Sequence, residues 1–302
     1  MGRFAPSPTG PLHLGSLYTA LAGFLDARHH GGQWLLRIDD LDTPRNISGA
    51  ADDILRCLQR FGLQWDGEVY YQSRHVDAYQ RELTGLARHD LLYACRCSRK
   101  DLAEHAVYPG YCRDLGLPLE PGTTWRLKTR DRLIAFEDAI QGHFEQNVGL
   151  EHGDFVVRRK DDIVAYQCAV VVDDYLQGIS HVVRGADLLE STIKQRYLQT
   201  LLGYPQPHYR HLPVIVDAQG QKLSKQTLAT PVDERNPRQT LFLLLQLLRQ
   251  DPPSGLNEAT LADQLEWAIV HWQPNRLSGL RAVQPETQES PNLGGIQPQT
   301  TR

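Results

Sequence analysis

Helical and strand signals alternate along residues 1–90, and no other feature restricts the fold as much. After Pro11, apolar residues recur at helical spacing (Leu17, Leu21, Phe24, Leu25) and the Gly31-Gly32 pair supplies a stop, which predicts a helix from Ser16 to Arg28. Trp34-Leu35-Leu36-Arg37-Ile38 reads as a short, mostly apolar strand that ends abruptly in Asp39-Asp40-Leu41-Asp42, so acids arrive at its carboxyl end. Ser48 is expected to cap a helix through Phe61 with Gly62 as its stop, and Ser73 another helix carrying Val76, Tyr79, Leu83, Leu86 and Ala87 on one face. Such alternation is α/β wiring.

Residues 91–150 break the pattern: cysteines, Pro109, Gly110, Pro118, Pro121 and Gly122 interrupt short strand candidates such as Thr124 to Lys128, as in an insertion between two halves of one domain. The second half, 151–226, returns to apolar runs from Phe155 to Val183, with Asp161-Asp162 as a hairpin turn and Val170-Val171-Val172 ending in Asp173-Asp174. A helix from Asp187 to Leu202 and a strand from Leu212 to Val216 follow. Residues 227–281 hold two amphipathic helices, Pro237 to Gln250 and Leu256 to Trp272, and 282–302 have the composition of a disordered tail.

Composition excludes several classes. With 41% hydrophobic and 23% charged residues, and with Leu241 to Leu248 as its most apolar helical stretch, the chain reads as a globular protein and not a membrane one, since a span needs ~20 apolar residues. No basic patch followed by an apolar run opens the sequence, so a cytoplasmic, reducing location is expected. The five cysteines then suit a metal site better than disulfides, because Cys95, Cys97 and Cys112 are bunched. The net charge of −4 does not announce a nucleic-acid binder and does not exclude one. Lysine is scarce, at six residues, yet Lys222 and Lys225 lie three apart.

Two segments carry phosphate chemistry. Arg3 to Ser16 is turn-rich and delivers His13 and Gly15 to a helix N-terminus, where unpaired N–H groups, a glycine permitting close approach and an imidazole donor would cradle a triphosphate. Alone it also fits a capping loop. Lys222-Leu223-Ser224-Lys225-Gln226 places two ammonium groups where they could close over charge developing on a departing pyrophosphate. Alone it also fits a solvated turn.

In this order, the two segments resemble the HIGH and KMSKS motifs of class I aminoacyl-tRNA synthetases. Arg3 to Gly10 is similar to the Arg-x-Ala-Pro-Ser-Pro-Thr-Gly opening of glutamyl-tRNA synthetases. Arg37-Ile38-Asp39-Asp40-Leu41-Asp42, Tyr166 with Val171-Val172-Asp173-Asp174, and Val182-Val183-Arg184-Gly185-Ala186-Asp187-Leu188-Leu189 match further motifs of that family. Only 76 residues follow Gln226, where a glutamyl-tRNA synthetase continues into an anticodon-binding domain. With the cysteine segment, this plan resembles the queuosine-glutamylating paralogues of those enzymes.

The resemblance implies a Rossmann-like class I synthetase catalytic domain with a zinc-bearing insertion and a short C-terminal helical unit that would support a tRNA stem. It implies ATP-dependent activation of L-glutamate, with Mg²⁺ on the nucleotide, and transfer to queuosine in the anticodon loop of tRNA(Asp), by a monomer. Arg3, Ala5, Ser7, Asp39, Tyr166 and Arg184 would form the glutamate pocket. Arg3 and Arg184 would face the side-chain carboxylate and Asp39, in place of the relatives' usual glutamate, the ammonium. His13, Gly15, Lys222 and Lys225 would carry catalysis, with His13, Gly15 and Lys225 on ATP. Three thiolates and one further donor complete a tetrahedral zinc site at Cys95, Cys97 and Cys112. The resemblance makes Tyr108 the fourth donor, while Tyr111, His105 or water also have the chemistry. Cys57 and Cys168 read as core residues. Alternatives are a shortened glutamyl-tRNA synthetase charging the 3′ end, another HIGH-type nucleotidyltransferase, and a non-catalytic regulator binding tRNA or glutamate.

Overall fold

A computed structural model describes residues 1–217, 219–221, 232 and 234–285. The strand β1 (Gly2–Phe4) leads through the helix α1 (Leu14–His29) to β2 (Trp34–Ile38), which pairs with β1 in parallel, Gly2 opposite Trp34. The two-residue β3 (Tyr70–Tyr71) extends this sheet on the far side of β2. α1 is buried nearly all round, from Leu17 through Leu25, as a helix packed between sheet and neighbouring helices must be.

Two helices, α2 (Ala50–Arg60) and α3 (Val76–Arg88), start later than the serines predict. The cap of α2 is Gly49, whose φ of +79° a serine would adopt only with strain. Ser73 instead gives its N–H and hydroxyl to the Asp40 carboxylate, at 2.8 and 2.7 Å, and His75 becomes the residue preceding α3. Val76 accordingly lies at the surface and not on the apolar face.

The stretch 91–150 divides between two sheets. β4 (Leu92–Cys95), β5 (Thr124–Leu127) and β8 (Val156–Arg158) form an antiparallel sheet of their own. The hairpin of β6 (Leu133–Asp138) and β7 (Gly142–Asn147) joins instead a sheet ordered β7-β6-β10-β9, in which β9 (His181–Gly185) and β10 (His208–Leu212) are parallel. Asp161-Asp162 does form a turn, with Arg158 bridged to Val164. The Val170-Val171-Val172 run lies inside a helix, α4 (Tyr166–Leu176), because burial on all sides overrides the weak helix propensity of β-branched residues.

β9 lies beside β1, where the Met1 carbonyl accepts from the N–H groups of Ser180 and His181. β1 connects through α1 to one side and β9 connects through α5 (Leu189–Leu202) to the other, so strand order reverses between them. Ligands of Rossmann-like sheets bind at the carboxyl ends of the strands at such a switch point.

The strand expected at Leu212 to Val216 is interrupted by Pro213, which has no N–H for a ladder. Beyond it β11 (Val214–Ile215) pairs with β12 (Ala282–Val283), so the first two residues of the expected tail are a strand; 286–302 lie outside the described residues. The last helices are α6 (Pro237–Leu247) and α7 (Leu261–Val270), the latter opened by a Thr260–Asp263 capping box. They share one apolar core with α1 and α2, in which Leu244, Leu245, Ala268 and Trp272 meet Leu21, Phe24 and Ile54. A second core, under α3, α4 and α5, lies on Tyr79, Val171, Ile193 and Tyr209. Among the described residues no helix is long and apolar enough to cross a membrane.

Candidate active site

A cavity of about 370 Å³ opens at the switch point. Arg3 comes from β1, Ala5 and Ser7 from the loop after it, and His13 and Gly15 from the start of α1. Asp39 follows β2, Tyr166 begins α4 and Arg184 is on β9; all eight line the cavity. Backbone bonds hold the loop across the end of β2: Asp39 N–H donates to the Pro6 carbonyl and Ile47 N–H to that of Pro8, both at 2.9 Å. Lys222 and Lys225 lie outside the described residues.

His13 is the residue before α1, and its Nδ1 accepts from Ser16 N–H at 3.2 Å, so it caps the helix as well as lining the cavity. Tyr166 is 41% exposed, at the mouth, while Arg3, Asp39 and Arg184 are buried. The helix end gives the cavity wall a positive potential on one side.

Two groups of buried charges meet the cavity at Arg3, Asp39 and Arg184. In the first, Arg37, fully buried, gives Nε to Asp39 at 2.8 Å and Nη1 to Asp174 at 2.7 Å, and lies 3.8 Å from Asp173. Asp174 also takes Arg3 Nε at 3.1 Å, so Arg3 is already paired. Asp173 accepts from Tyr70 and Tyr79 hydroxyls and from Gln72 Nε2. Burial pushes the Asp39 carboxyl up to about 6 against the pull of Arg37, and it also raises Asp173. For Asp174 the pull of Arg3 and Arg37 outweighs burial and holds the carboxyl below its ordinary range. In the second group Arg184 gives Nε to His211 Nε2 at 3.1 Å and Nη2 to Thr192 Oγ1 at 2.7 Å.

Three polar atoms on cavity-lining residues, Tyr18 Oη, Arg37 Nη2 and Arg184 Nη1, are buried with no hydrogen-bond partner among the described residues. An anionic or polar ligand in the cavity would give these donors the bonds they lack. Sequence reasoning quotes Arg37 within a motif and gives it no role. Its signal was present, since a charged residue inside an apolar strand must bring its own partners. Thr192 and His211 have no such local signal.

The cysteines form a separate cluster. The Sγ atoms of Cys95, Cys97 and Cys112 lie within 4.8 Å of one another, and Tyr108 Oη is 3.4 Å from Cys95 Sγ and 3.8 Å from Cys97 Sγ. A tetrahedral ion with metal–sulfur bonds of about 2.3 Å needs its sulfurs about 3.8 Å apart, so the four atoms suit one centre. Tyr111 instead bonds His105 at 2.8 Å, which leaves Tyr108 as the hydroxyl facing the thiols. Arg126 stacks on the Tyr108 ring at 3.7 Å and fixes its tilt. Cys57 and Cys168 are buried in the two apolar cores.

The family of class I tRNA synthetases (E and Q), catalytic domain, matches residues 1–107 and 121–260; Tyr108 and Cys112 fall in the gap. A glutamyl-Q tRNA(Asp) synthetase from Aromatoleum aromaticum is 51% identical over 282 residues, covering 90% of this chain and 88% of that protein. One from Acinetobacter baylyi is 48% identical over 277 residues, covering 92% and 94%. Among solved structures, the glutamate tRNA ligase of Elizabethkingia meningosepticum in complex with its amino acid has a TM-score of 0.78 at 26% identity, over 94% of this chain and 66% of that one. This chain therefore spans about two thirds of that ligase.

Proposed function

Since the chain belongs to the class I tRNA synthetases for glutamate and glutamine, among the glutamyl-Q tRNA(Asp) synthetases, we propose that it activates L-glutamate with ATP and transfers it to queuosine in the anticodon loop of tRNA(Asp). The observation that carries this reading is the cavity wall at the switch point, where Arg3, Asp39, Arg184 and the N-terminus of α1 converge. A zwitterion with a second carboxylate needs a guanidinium for that carboxylate and an acid for its ammonium, and this wall offers both. Because Arg3 is paired with Asp174, Arg184 with its unpartnered Nη1 is the stronger receptor of the two.

In the first step the glutamate α-carboxylate attacks the α-phosphorus of ATP in line, a P–O bond forms, and pyrophosphate leaves with the electrons of the bond that breaks. The nucleophile is already ionised at neutral pH, so no general base is needed. Catalysis is positioning plus charge stabilisation by His13, the α1 end, Lys222 and Lys225, with Mg²⁺ on the phosphates. In the second step a queuosine hydroxyl displaces AMP from the acyl carbon.

Cys95, Cys97, Cys112 and Tyr108 would hold one zinc ion as a structural centre, tying the chain before β5 to the end of β4. Elemental analysis of fresh protein is expected to find about one zinc per chain, reduced in Cys97→Ser and lost when all three cysteines are changed. Full zinc in the triple variant would remove this assignment.

The Asp39 titration gives a pH signature. With burial raising the Asp39 carboxyl to about 6, it loses the charge that pairs with an ammonium as pH falls through that value, so KM for glutamate should rise as pH falls from 7 to 5 and be level just above 7. Glutamate's own side-chain carboxyl titrates near 4.3, outside that window. Asp39→Asn should raise KM at neutral pH and abolish the step; a step that persists in this variant belongs to another group.

The acceptor is tested with an isolated queuosine-bearing anticodon stem-loop of tRNA(Asp). It is expected to be glutamylated about as well as the whole tRNA, and periodate oxidation of the tRNA 3′ end should not block the reaction. An ester on the terminal adenosine would make this a shortened glutamyl-tRNA synthetase. Pyrophosphate exchange independent of glutamate would point to another nucleotidyltransferase, and no exchange at all to a binding protein.

A further inference from the structure

Arg184 is held more tightly than a pocket arginine needs to be. Asp138, at the end of β6, accepts the N–H groups of Ile140 and Gln141 and of His211, and its Oδ2 lies 2.6 Å from His211 Nδ1. An arginine Nε–H can only donate, so His211 Nε2, 3.1 Å from Arg184 Nε, presents its lone pair. The ring proton is therefore on Nδ1 and is given to Asp138, as an uncharged imidazole requires. Thr192 Oγ1 takes Arg184 Nη2 from the side of α5. All four residues are at most 4% exposed, and they come from four elements, β6, β9, α5 and β10.

We propose that Asp138, His211 and Thr192 are positioning residues that aim Arg184 at the side-chain carboxylate of the amino-acid substrate. With Nε and Nη2 fixed by acceptors that never touch the ligand, the guanidinium plane is set before substrate arrives, and Nη1 is the nitrogen left without a partner among the described residues. A free arginine would lose much of its rotamer freedom on binding; here that ordering is complete beforehand, which strengthens binding. A buried Asp–His pair could also serve only to join β6 to β10, and the two roles predict different kinetics. The proposal rests on Arg184 receiving the substrate carboxylate.

The test is glutamate-dependent ATP–pyrophosphate exchange, with KM measured for glutamate and for ATP. Arg184→Leu comes first: an unchanged KM for glutamate overturns the pocket reading and this proposal with it. His211→Asn keeps a polar group facing Asp138 and removes the one at the Nε2 position, while His211→Gln returns an amide oxygen there. The asparagine variant should raise KM for glutamate about tenfold to a hundredfold, the range of a hydrogen bond to a charged group, and leave kcat and KM for ATP within about twofold. The glutamine variant should recover most of the loss. Thr192→Val and Thr192→Ser form a second pair with the same contrast, and decide the matter if the histidine variants do not fold. Equal losses for glutamate and ATP, or conservative variants no better than the disruptive ones, would show a core role only. A normal KM in the His211 and Thr192 variants beside a raised one in Arg184→Leu would overturn the positioning while sparing the pocket.

Discussion

Arg37→Met is expected to lower the stability of the protein by about 3–5 kcal/mol, a fall in Tm on the order of 10 °C. Arg37 is fully buried between Asp39, Asp173 and Asp174, and methionine, though similar in length, brings no charge and no donor. Arg3 would remain as the cation on Asp174, Asp173 would keep only the neutral donors Tyr70, Tyr79 and Gln72, and Asp39 would lose its bonded guanidinium. The penalty arises from carboxylates left ionised without a partner, so its size should depend on pH. At pH 8 all three must be charged or pay to protonate, whereas at pH 5 Asp39, whose carboxyl burial already raises to about 6, can take up a proton and escape part of the cost. The gap between Arg37→Met and the parent protein should therefore be wider at pH 8 than at pH 5 in thermal melts. Arg37→Lys should fall between, since one ammonium cannot reproduce the planar fork that reaches Asp39 and Asp174 together. A melting temperature within about 2 °C of the parent at pH 8 would show that the carboxylates find other neutralisation.

Why Arg37 escapes a reading of the sequence and Trp34–Ile38 does not is a matter of range. The strand is bounded by a glycine pair and by aspartates, signals that lie within a few residues of it. α1 is legible for the same reason. The partners that make Arg37 and Arg184 tolerable in the interior are Asp174, 137 residues away, and His211, 27 residues away across a different strand. No periodicity carries such pairings. The Val170-Val171-Val172 run is legible only as an apolar stretch, and tertiary burial makes it helix. Among the cysteines, spacing was enough to gather three thiols but not to choose between Tyr108 and Tyr111. In the structure Tyr108 Oη lies against the thiols, with Arg126 stacked on its ring, while Tyr111 is bonded to His105. The last two helices are visible as amphipathic segments, yet their sequence does not say that Trp272 donates to Asp26 and closes the core around α1.

Lys225→Ala is expected to depress glutamate-dependent ATP–pyrophosphate exchange by ~10²-fold or more while leaving glutamate affinity nearly unchanged. Negative charge in this reaction moves from the attacking α-carboxylate onto the α–β bridging oxygen, which leaves with pyrophosphate carrying the electrons of the broken bond, so a cation placed there is felt at the transition state far more than in the ground state. In the proposed reading the N-terminus of α1 meets the phosphates from the side of β1, and it carries only a partial charge. Full positive charge in this reading must come from Mg²⁺ and from the lysines, of which the whole chain has six, two of them Lys222 and Lys225. Lysine suits the task because an ammonium on a flexible stem can follow the pyrophosphate as it leaves, where a rigid fork would hold it. Lys225→Arg should accordingly recover only part of the rate. In the proposed reading Arg3, Asp39 and Arg184, which line the cavity from other elements, receive the amino acid, so equilibrium binding of glutamate should not register the change. An exchange rate unaltered in Lys225→Ala would show that the lysine segment is a solvated turn and that the pyrophosphate is neutralised by other groups.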